Sequence, residues 1–334
     1  MDTSLFDYHL PEDQIAQQSV EPRDQSRLLV VDRGTGQWQH KQFFEISQFL
    51  RAGDVLVLNN TKVFRARLHT EGLEVFLLRA KEGSVWEVMV RPGKKVQVDQ
   101  EIDLNGLRGT IVEKRNDGIV LMRFDRSPDE VVAFANEHGE IPVPPYVNIQ
   151  PQTFQDYQTV YAKETGSVAA PTAGFHFTQR LIDELKQKGI QFEEVTLHVG
   201  IGTFRPMKTE TIEEHEMHSE FVSIDSGTAE RINTAKKEGR RVIAVGTTTV
   251  RTLEGVAHSD GGFRAFTGDV NLFIKPGFEF EIIDVLITNF HLPKSTLLVL
   301  VSAFAGREHV MNAYAEAVKE GYRFFSFGDA MFIQ

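Results

Sequence analysis

Residues 241–251 read RVIAVGTTTVR. The run from Val242 to Val245 is apolar and rich in β-branched residues, which predicts a strand buried on both faces. One glycine follows, and the three threonines after it open a helical segment. The free backbone N–H groups at such a helix start can bind an anion. The plainer interpretation is a threonine-capped helix after a tight turn.

Strands and helices alternate on both sides of this segment. The patterns predict strands at residues 26–32, 54–58, 192–199, 241–245, 269–274, 282–288 and 324–327. They predict helices at residues 41–50, 178–188, 226–238, from 247, 296–305 and 308–319. This alternation predicts a layered, largely parallel α/β sheet.

The sequence pattern changes between residues 63 and 147. Short β-prone runs at 73–78, 85–90, 95–98, 108–113 and 119–124 alternate with turns, and Asp117-Gly118 favours a hairpin. Such spacing is typical of a small antiparallel β-barrel. We therefore predict a discontinuous α/β domain, residues 1–62 and 148–334, interrupted by an inserted β-barrel domain at 63–147.

Composition excludes several classes of protein. The 334 residues include no cysteine, so neither disulfides nor a cysteine-ligated metal site is possible. The start of the chain lacks the basic and apolar regions of a signal peptide, and no apolar run approaches the length of a membrane span. We expect a cytoplasmic protein that does not contact a membrane.

Charge argues weakly against a nucleic-acid partner. The formal net charge is −11, yet residues 60–126 carry thirteen Lys or Arg against ten Asp or Glu. An acidic protein can still meet a nucleic acid through one locally basic surface.

Three predicted strand ends carry polar or charged residues beside glycine, threonine or asparagine. In parallel sheets, ligands bind outside the carboxyl ends of the strands, so these residues are candidates for one shared crevice. Each histidine has the alternative of a structural role in the core. The candidates are Thr247, Thr248 and Arg251; His198, Gly200, Gly202 and Arg205; and Asn289, His291 and Lys294.

Residues 161–178, YAKETGSVAAPTAGFHFT, are mostly small and follow neither the strand nor the helix period. Small residues let the backbone approach a ligand closely. The candidate residues of this stretch are Lys163, Glu164, Thr172, Gly174 and His176, and Asn60 can face the same crevice. The stretch at 215–218, HEMH, lacks the spacing of a zinc motif, so we predict no metal site.

Motifs along nearly the whole chain together resemble a known family. They are DYHLPEDQIAQ, EPRDQSRLLVVDR, LVLNNTKVFRARL, YAKETGSVAAPTAGFHFT, VTLHVGIGTFRPM, EMHSE, GTTTVRTLE, TNFHLPKSTLLVLVSAFAG and FFSFGDAMFI. In this order they are similar to the S-adenosylmethionine:tRNA ribosyltransferase-isomerases of queuosine biosynthesis. The chain departs from the family pattern at residues 62–65, Thr165 and Phe175.

The resemblance implies that S-adenosylmethionine is a ribosyl-donor substrate and that no prosthetic group is needed. Its ribosyl group would be transferred and isomerised onto 7-aminomethyl-7-deazaguanine at the tRNA wobble position, giving epoxyqueuosine, adenine and methionine. The partner would be the tRNA anticodon stem-loop, and we expect a monomer. The implied fold is an α/β domain interrupted by a β-barrel.

This reaction needs a base near the carbon beside sulfur and an acid for the departing adenine. His176, His198 and His291 are the candidate proton carriers, with Glu164 as the alternative base. Arg251 and the helix start at Thr247 would hold a carboxylate or a phosphate, with Arg205 and Lys294 as further anion ligands. The rival functions are an S-adenosylmethionine methyltransferase or nucleotide-binding enzyme, and an RNA-binding module without catalysis.

Overall fold

The computed structural model describes residues 1–149, 151, 153–200, 207–217 and 219–334. Its larger sheet contains nine strands, which we number in chain order. In spatial order they are β15 (Phe266–Val270), β13 (Glu220–Ile224), β12 (Gln191–His198), β3 (Val55–Asn59), β14 (Val242–Val245), β16 (Val285–Asn289), β17 (Ala330–Ile333), β1 (Arg27–Val31) and β2 (Trp38–Gln42).

The centre of this sheet is parallel. Strands β12, β3, β14 and β16 run in one direction, and β17 and β1 are parallel to each other. The remaining pairs are antiparallel, including β16 with β17. The carboxyl ends of the four central strands therefore meet at one edge, and the starts of β17 and β1 lie at that edge too.

Helices cover both faces of the sheet. They are α2 (Gln179–Gln187), α3 (Ser226–Lys237), α4 (Thr247–Ala257), α5 (Thr296–Ala305) and α6 (Arg307–Lys319), whereas α1 (Pro128–His138) packs on the second sheet. Because side chains alternate along a strand, Val55 and Val57 of β3 join the core with α3 to α6, whereas Leu56 and Leu58 join the core with α2. The predicted layered α/β class is confirmed. None of the helices in the described ranges has the length and hydrophobicity to span a bilayer.

The second sheet is antiparallel and curls into a half-barrel. Its strands in spatial order are β5 (Arg67–Thr70), β6 (Leu73–Ala80), β7 (Val85–Arg91), β10 (Val120–Phe124), β9 (Arg108–Lys114) and β8 (Glu101–Asp103). It has its own apolar core, which Val131, Phe134 and Ala135 of α1 complete. The inserted β-structure is thus confirmed, while the exact boundaries at 62/63 and 147/148 stay a prediction.

A short parallel pair lies between the sheets: β4 (Thr61–Val63) and β11 (Glu164–Ser167). Helix α1 was missed by the sequence patterns, although Ser127 and Glu130 form a capping box with Pro128 at the first helical position.

Four predicted elements were misplaced. Residues 324–327 form a turn rather than the last strand, because Phe325 has φ 70° and its carbonyl accepts the N–H of Gly328; the strand is β17. Residues 41–50 form the end of β2 and a 3-10 helix, Phe43–Gln48, whose start is fixed by Gln42 and Glu45.

The other two errors are a strand that is absent and a strand that lies earlier in the chain. The strand predicted at 95–98 is absent from the described structure, since a 3-10 turn, Gly93–Lys95, closes on the carbonyl of Pro92. The strand predicted at 269–274 lies earlier, at β15, where it pairs with β13.

Candidate active site

A cavity of about 610 Å³, counting the space that opens to solvent, lies where β14 and β16 end. Five predicted site residues line it: Thr172, Thr247, Thr248, Asn289 and His291. Among the described residues, no Lys, Arg, Asp or Glu lines this cavity. Its polarity therefore comes from hydroxyl, amide and imidazole groups.

The start of α4 forms one wall. Gly246 has φ 89°, a conformation that favours glycine, and its N–H donates to the carbonyl of Ile287 at 2.8 Å. The next residues are the first of the helix, whose leading N–H groups have no partner within it. The hydroxyl of Thr249 donates a hydrogen bond to the carbonyl of Val245 at 2.7 Å. Thr248 keeps a buried hydroxyl oxygen with no hydrogen-bond partner among the described residues. This wall can therefore donate to an anion or a carbonyl.

A hydrogen-bonded chain crosses the second wall. The Thr172 hydroxyl donates to Oδ1 of Asn289 at 3.0 Å, and Nδ2 of Asn289 lies 3.2 Å from Nε2 of His176. Nδ2 can only donate, so Nε2 accepts and the proton resides on Nδ1. Nδ1 then donates to Oγ of Ser26 at 2.7 Å. This series of hydrogen bonds fixes one tautomer of His176 and uses both of its ring nitrogens.

His176 is only 4% exposed. Burial first, and then the charges of Arg323 and Arg23, lower the pKa of His176 from 6.5 to about 3. The ring is neutral at neutral pH, as the chain of hydrogen bonds requires.

His291 faces the cavity from the end of β16. Its Nε2 lies 2.8 Å from Oγ1 of Thr288, and Nδ1 has no hydrogen-bond partner in the described part of the chain. Its backbone N–H donates to the hydroxyl of Tyr314, and its carbonyl accepts from Tyr8 at 2.5 Å. Burial lowers the pKa of His291 from 6.5 to about 3. The backbone is thus held on both sides, and Nδ1 is available as a base in the tautomer in which Nε2 donates its proton to Thr288.

His198 does not line the cavity. Its Nδ1 lies 2.8 Å from Oγ1 of Thr61, and its ring stacks on Phe221 with centroids 5.5 Å apart. Burial and then the charge of Arg79 lower the pKa of His198 from 6.5 to about 4. Glu164 lies nearby with an exposed side chain, and its carbonyl is 3.5 Å from the Thr61 hydroxyl. These two candidates form a separate cluster between the sheets.

Lys163 and Asn60 share one partner. Nζ of Lys163 is 2.7 Å from both carboxylate oxygens of Glu194, and Nδ2 of Asn60 donates to the same group at 3.2 Å. Oδ1 of Asn60 accepts from Thr196 at 2.8 Å. Both predicted residues are therefore paired within the protein, outside the cavity lining.

Arg251 forms a buried ion pair with Glu220, and their side chains are 7% and 6% exposed. The N–H of Gly200 lies 3.5 Å from the same carboxylate. Arg251 therefore points away from the cavity, although it is one turn from the helix start. The predicted residues Gly202 and Arg205 lie outside the described residues.

Two further predicted residues serve local geometry in this structure. Gly174 packs so closely on the hydroxyl of Tyr161 that an added Cβ would overlap it. Lys294 pairs with Asp7 at 2.9 Å, and its backbone joins Met207 and Phe6. Neither lines the cavity.

The chain was compared with known proteins. Residues 3–333 match a family model described as a queuosine biosynthesis protein. The chain belongs to this family. Among curated relatives, the S-adenosylmethionine:tRNA ribosyltransferase-isomerases of Desulfitobacterium hafniense and Moorella thermoacetica are 51% and 52% identical to it, over 98% of each chain.

A solved structure agrees with this membership. The crystal structure of S-adenosylmethionine tRNA ribosyltransferase from Thermotoga maritima is 41% identical, with a TM-score of 0.60. The match covers 99% of this chain and 100% of that one. That structure therefore shares the architecture described above over its whole length, both the α/β sheet and the half-barrel.

This member of the queuosine biosynthesis family has site residues that the sequence did not single out. Tyr146, Thr288 and Ser326 line the cavity, and Ser26 is the partner of His176. The signal for Ser26 and Ser326 was present in the motifs EPRDQSR and FFSFGDAMFI, which had been assigned to strands alone. Within the described ranges, no three His, Asp or Glu residues cluster as a metal site.

Proposed function

We propose that this protein is an S-adenosylmethionine:tRNA ribosyltransferase-isomerase. It transfers the ribosyl group of S-adenosylmethionine to 7-aminomethyl-7-deazaguanine at the tRNA wobble position, isomerises it to epoxyqueuosine, and releases adenine and methionine. The observation that carries the proposal is the family match over residues 3–333. Two relatives that bear this enzyme name and align over 98% of the chain support it. A cytoplasmic location and a monomeric state stay predictions.

The large cavity is proposed as the S-adenosylmethionine site. The start of α4, with Thr247 and the unpartnered hydroxyl of Thr248, suits the carboxylate of the methionine part. Tyr146 and Phe325 contribute aromatic surface to the same cavity, which suits the adenine ring. The absence of charged lining residues in the described chain leaves the sulfonium group without a strong counter-ion, which keeps it reactive.

His291 is the proposed base of the reaction. It lines the cavity, is neutral at neutral pH and has one ring nitrogen without a partner in the described chain. His176 is proposed as a positioning residue, because both of its nitrogens are used to orient Asn289 and Ser26. His198 as a proton carrier and Glu164 as the alternative base would act only if substrate binding brings the β4–β11 region closer to the cavity.

A basic loop of the half-barrel is the proposed contact with the tRNA anticodon stem-loop. Arg91, Lys94 and Lys95 are exposed and form no salt bridge with any described residue. Nζ of Lys114 donates to the carbonyls of Gly93 and Val96 at 3.0 and 2.8 Å, which holds this loop in place.

Arg115 is a further basic residue of the half-barrel. It pairs instead with Glu87 at 3.1 Å and Glu113 at 3.4 Å. The available positive charge is thus concentrated at residues 91–95, where phosphates can be contacted.

Product analysis tests the function. The purified protein is incubated with S-adenosylmethionine and tRNA carrying 7-aminomethyl-7-deazaguanine, and nucleosides and small molecules are measured by mass spectrometry. We expect adenine, methionine and epoxyqueuosine in equal amounts. S-adenosylhomocysteine would instead indicate a methyltransferase, and no product would indicate a binding protein.

A His291→Gln variant tests the proposed base in the same assay. Removing a positioned base costs about a hundredfold or more in rate. The exposed His9 provides the matched control as His9→Gln. Adenine release by the His291 variant at the rate of this control would rule out His291 as the base.

A further inference from the structure

A second pocket, of about 190 Å³ when the space that opens to solvent is counted, adjoins the large cavity. Ser326 lines both spaces, and His176 lines the smaller one while bonding to Asn289 of the larger. Strand order explains the proximity, because the segments that precede β1 and β17 reach the edge where β16 ends. The two spaces are thus neighbours that share Ser326 and are linked by the hydrogen bond between His176 and Asn289.

The smaller pocket is cationic. Arg23 and Arg323 line it, whereas no Asp or Glu does so in the described chain. The guanidinium of Arg23 donates to the carbonyls of Gln158 and Asp156 at 2.8 and 2.9 Å. Its nearest carboxylate is that of Glu21, 3.8 Å away on a side chain that is 75% exposed. Arg23 therefore brings a largely desolvated positive charge to the pocket without a buried counter-ion.

Arg323 leaves hydrogen-bonding capacity unused. Its Nη1 donates to the carbonyl of Gln18 at 3.1 Å, but its Nη2 is buried and has no acceptor among the described residues. The closest carboxylate oxygen, on Asp329, is 3.6 Å away, which is beyond hydrogen-bond distance. That carboxylate already accepts the backbone N–H groups of Arg27 and Arg323. A buried guanidinium N–H without an acceptor is costly and calls for a partner.

Ser26 adds a neutral donor to the same wall. Its oxygen accepts the Nδ1 proton of His176, so its own hydroxyl proton is free to be donated. The pocket thus combines two guanidinium groups with a hydroxyl donor. Planar guanidinium groups match the geometry of carboxylate and phosphate.

We propose that this smaller pocket is an oxyanion subsite of the enzyme, which binds a carboxylate or phosphate group of one substrate. The start of α4 is assigned to the carboxylate of S-adenosylmethionine. With the proposed function, on which the source of the anion rests, the group bound here is therefore a phosphate of the tRNA chain. Occupation would supply the acceptor that Nη2 of Arg323 lacks and would place the anion beside the large cavity.

Steady-state kinetics of adenine release on three variants test the subsite. Arg323→Gln removes the charge, Arg323→Lys keeps the charge without the planar fork, and Arg27→Gln is the matched control. Arg27 lies in the same region, over the ring of Tyr322 and bonded to the carbonyl of Glu320, but lines neither pocket.

We expect Arg323→Gln to raise the KM for one substrate about tenfold to a hundredfold, with a smaller change in kcat and an intermediate effect in the lysine variant. A rise in the KM for tRNA supports the phosphate, whereas a rise confined to the KM for S-adenosylmethionine would overturn the assignment of this pocket to tRNA. Values for both substrates equal to those of Arg27→Gln would overturn the proposal.

Inorganic sulfate provides a test that does not depend on turnover. Sulfate, compared with chloride at equal ionic strength, should raise the thermal midpoint of the wild type and of Arg27→Gln more than that of Arg323→Gln. It should also compete with the same substrate in the wild-type assay.

Equal midpoint shifts in all three proteins, or inhibition that is not competitive with either substrate, would refute the subsite. If Arg323→Gln does not fold, the lysine variant and the wild-type competition decide. A wild type that releases no adenine refutes the proposed function, whereas the sulfate shift still tests the pocket.

Discussion

Replacing His176 by glutamine should flatten the dependence of stability on pH. In the folded protein the pKa of His176 is lowered from 6.5 to about 3, mainly by burial, so the ring stays neutral down to acidic pH. In the unfolded chain the same ring gains a proton near pH 6.5. Because the unfolded state binds more protons between these values, stability is fully present above pH 6.5 and is lost as pH falls toward 3.

The size of the effect follows from these two pKa values. Between pH 6.5 and 5.0, a histidine that titrates only when unfolded lowers the free energy of unfolding by about 1.6 kcal/mol. His176→Gln should not show this loss of stability between pH 6.5 and 5.0, because glutamine does not titrate. It should also be less stable at pH 7, by about 1–3 kcal/mol, because Ser26 and Asn289 lose their partner at 2.7 and 3.2 Å.

Urea denaturation at pH 6.5 and 5.0, followed by circular dichroism, measures both effects. The wild type should lose more stability between the two pH values than His176→Gln does, by about 1.6 kcal/mol. His9→Gln, a change at an exposed site, should keep the wild-type pH dependence. Equal pH dependence in wild type and His176→Gln would show that His176 is not held neutral, and the tautomer assigned from the hydrogen-bonded chain would then be wrong.

Three other substitutions have expected outcomes. Thr248→Val should raise the KM for S-adenosylmethionine about fivefold to tenfold without lowering the thermal midpoint, because the removed hydroxyl has no partner to lose; a lower midpoint with unchanged KM would contradict this. Arg251→Met should cost about 3–5 kcal/mol in urea denaturation, because it removes one partner of a buried ion pair; stability equal to that of wild type would refute the contribution of the pair. Lys94→Glu with Lys95→Glu should weaken tRNA binding and lower its salt slope by about two, one for each lost phosphate contact; an unchanged slope in binding titrations would place the tRNA elsewhere.

Local patterns predicted much of the secondary structure. The start of α4 follows from Gly246 and the threonines after it, and the observed N-caps at Thr178 and Ser295 follow from their side chains. These features depend on hydrogen bonds within a few residues, so the sequence is sufficient. The turn at Phe325 was not predictable in this way, because four aromatic or small residues in a row resemble a buried strand.

The grouping of the three histidines depended on tertiary structure. His176, His198 and His291 each lie at the end of a strand or beside a helix, so the sequence does not distinguish them. In the structure, only His291 lines the cavity and has a ring nitrogen without a partner in the described chain. Side chains alternate along a strand, so Val199 lines the cavity while His198 turns toward Gly166. A shift of one residue thus decides which side of the sheet edge a functional group reaches.

By itself, the sequence determined the class of fold, the helix start that can bind an anion, and the resemblance that led to the family. Only the tertiary structure decided which candidates share a cavity. Strand order places the ends of β14 and β16 side by side, and Arg251 of α4 pairs with Glu220 of β13 instead of lining the cavity. The same order brings Ser26 and Arg323 beside His176, although they lie 150 and 147 residues away along the chain. Contacts over such separations are set by which strands pair, and no local pattern encodes that choice.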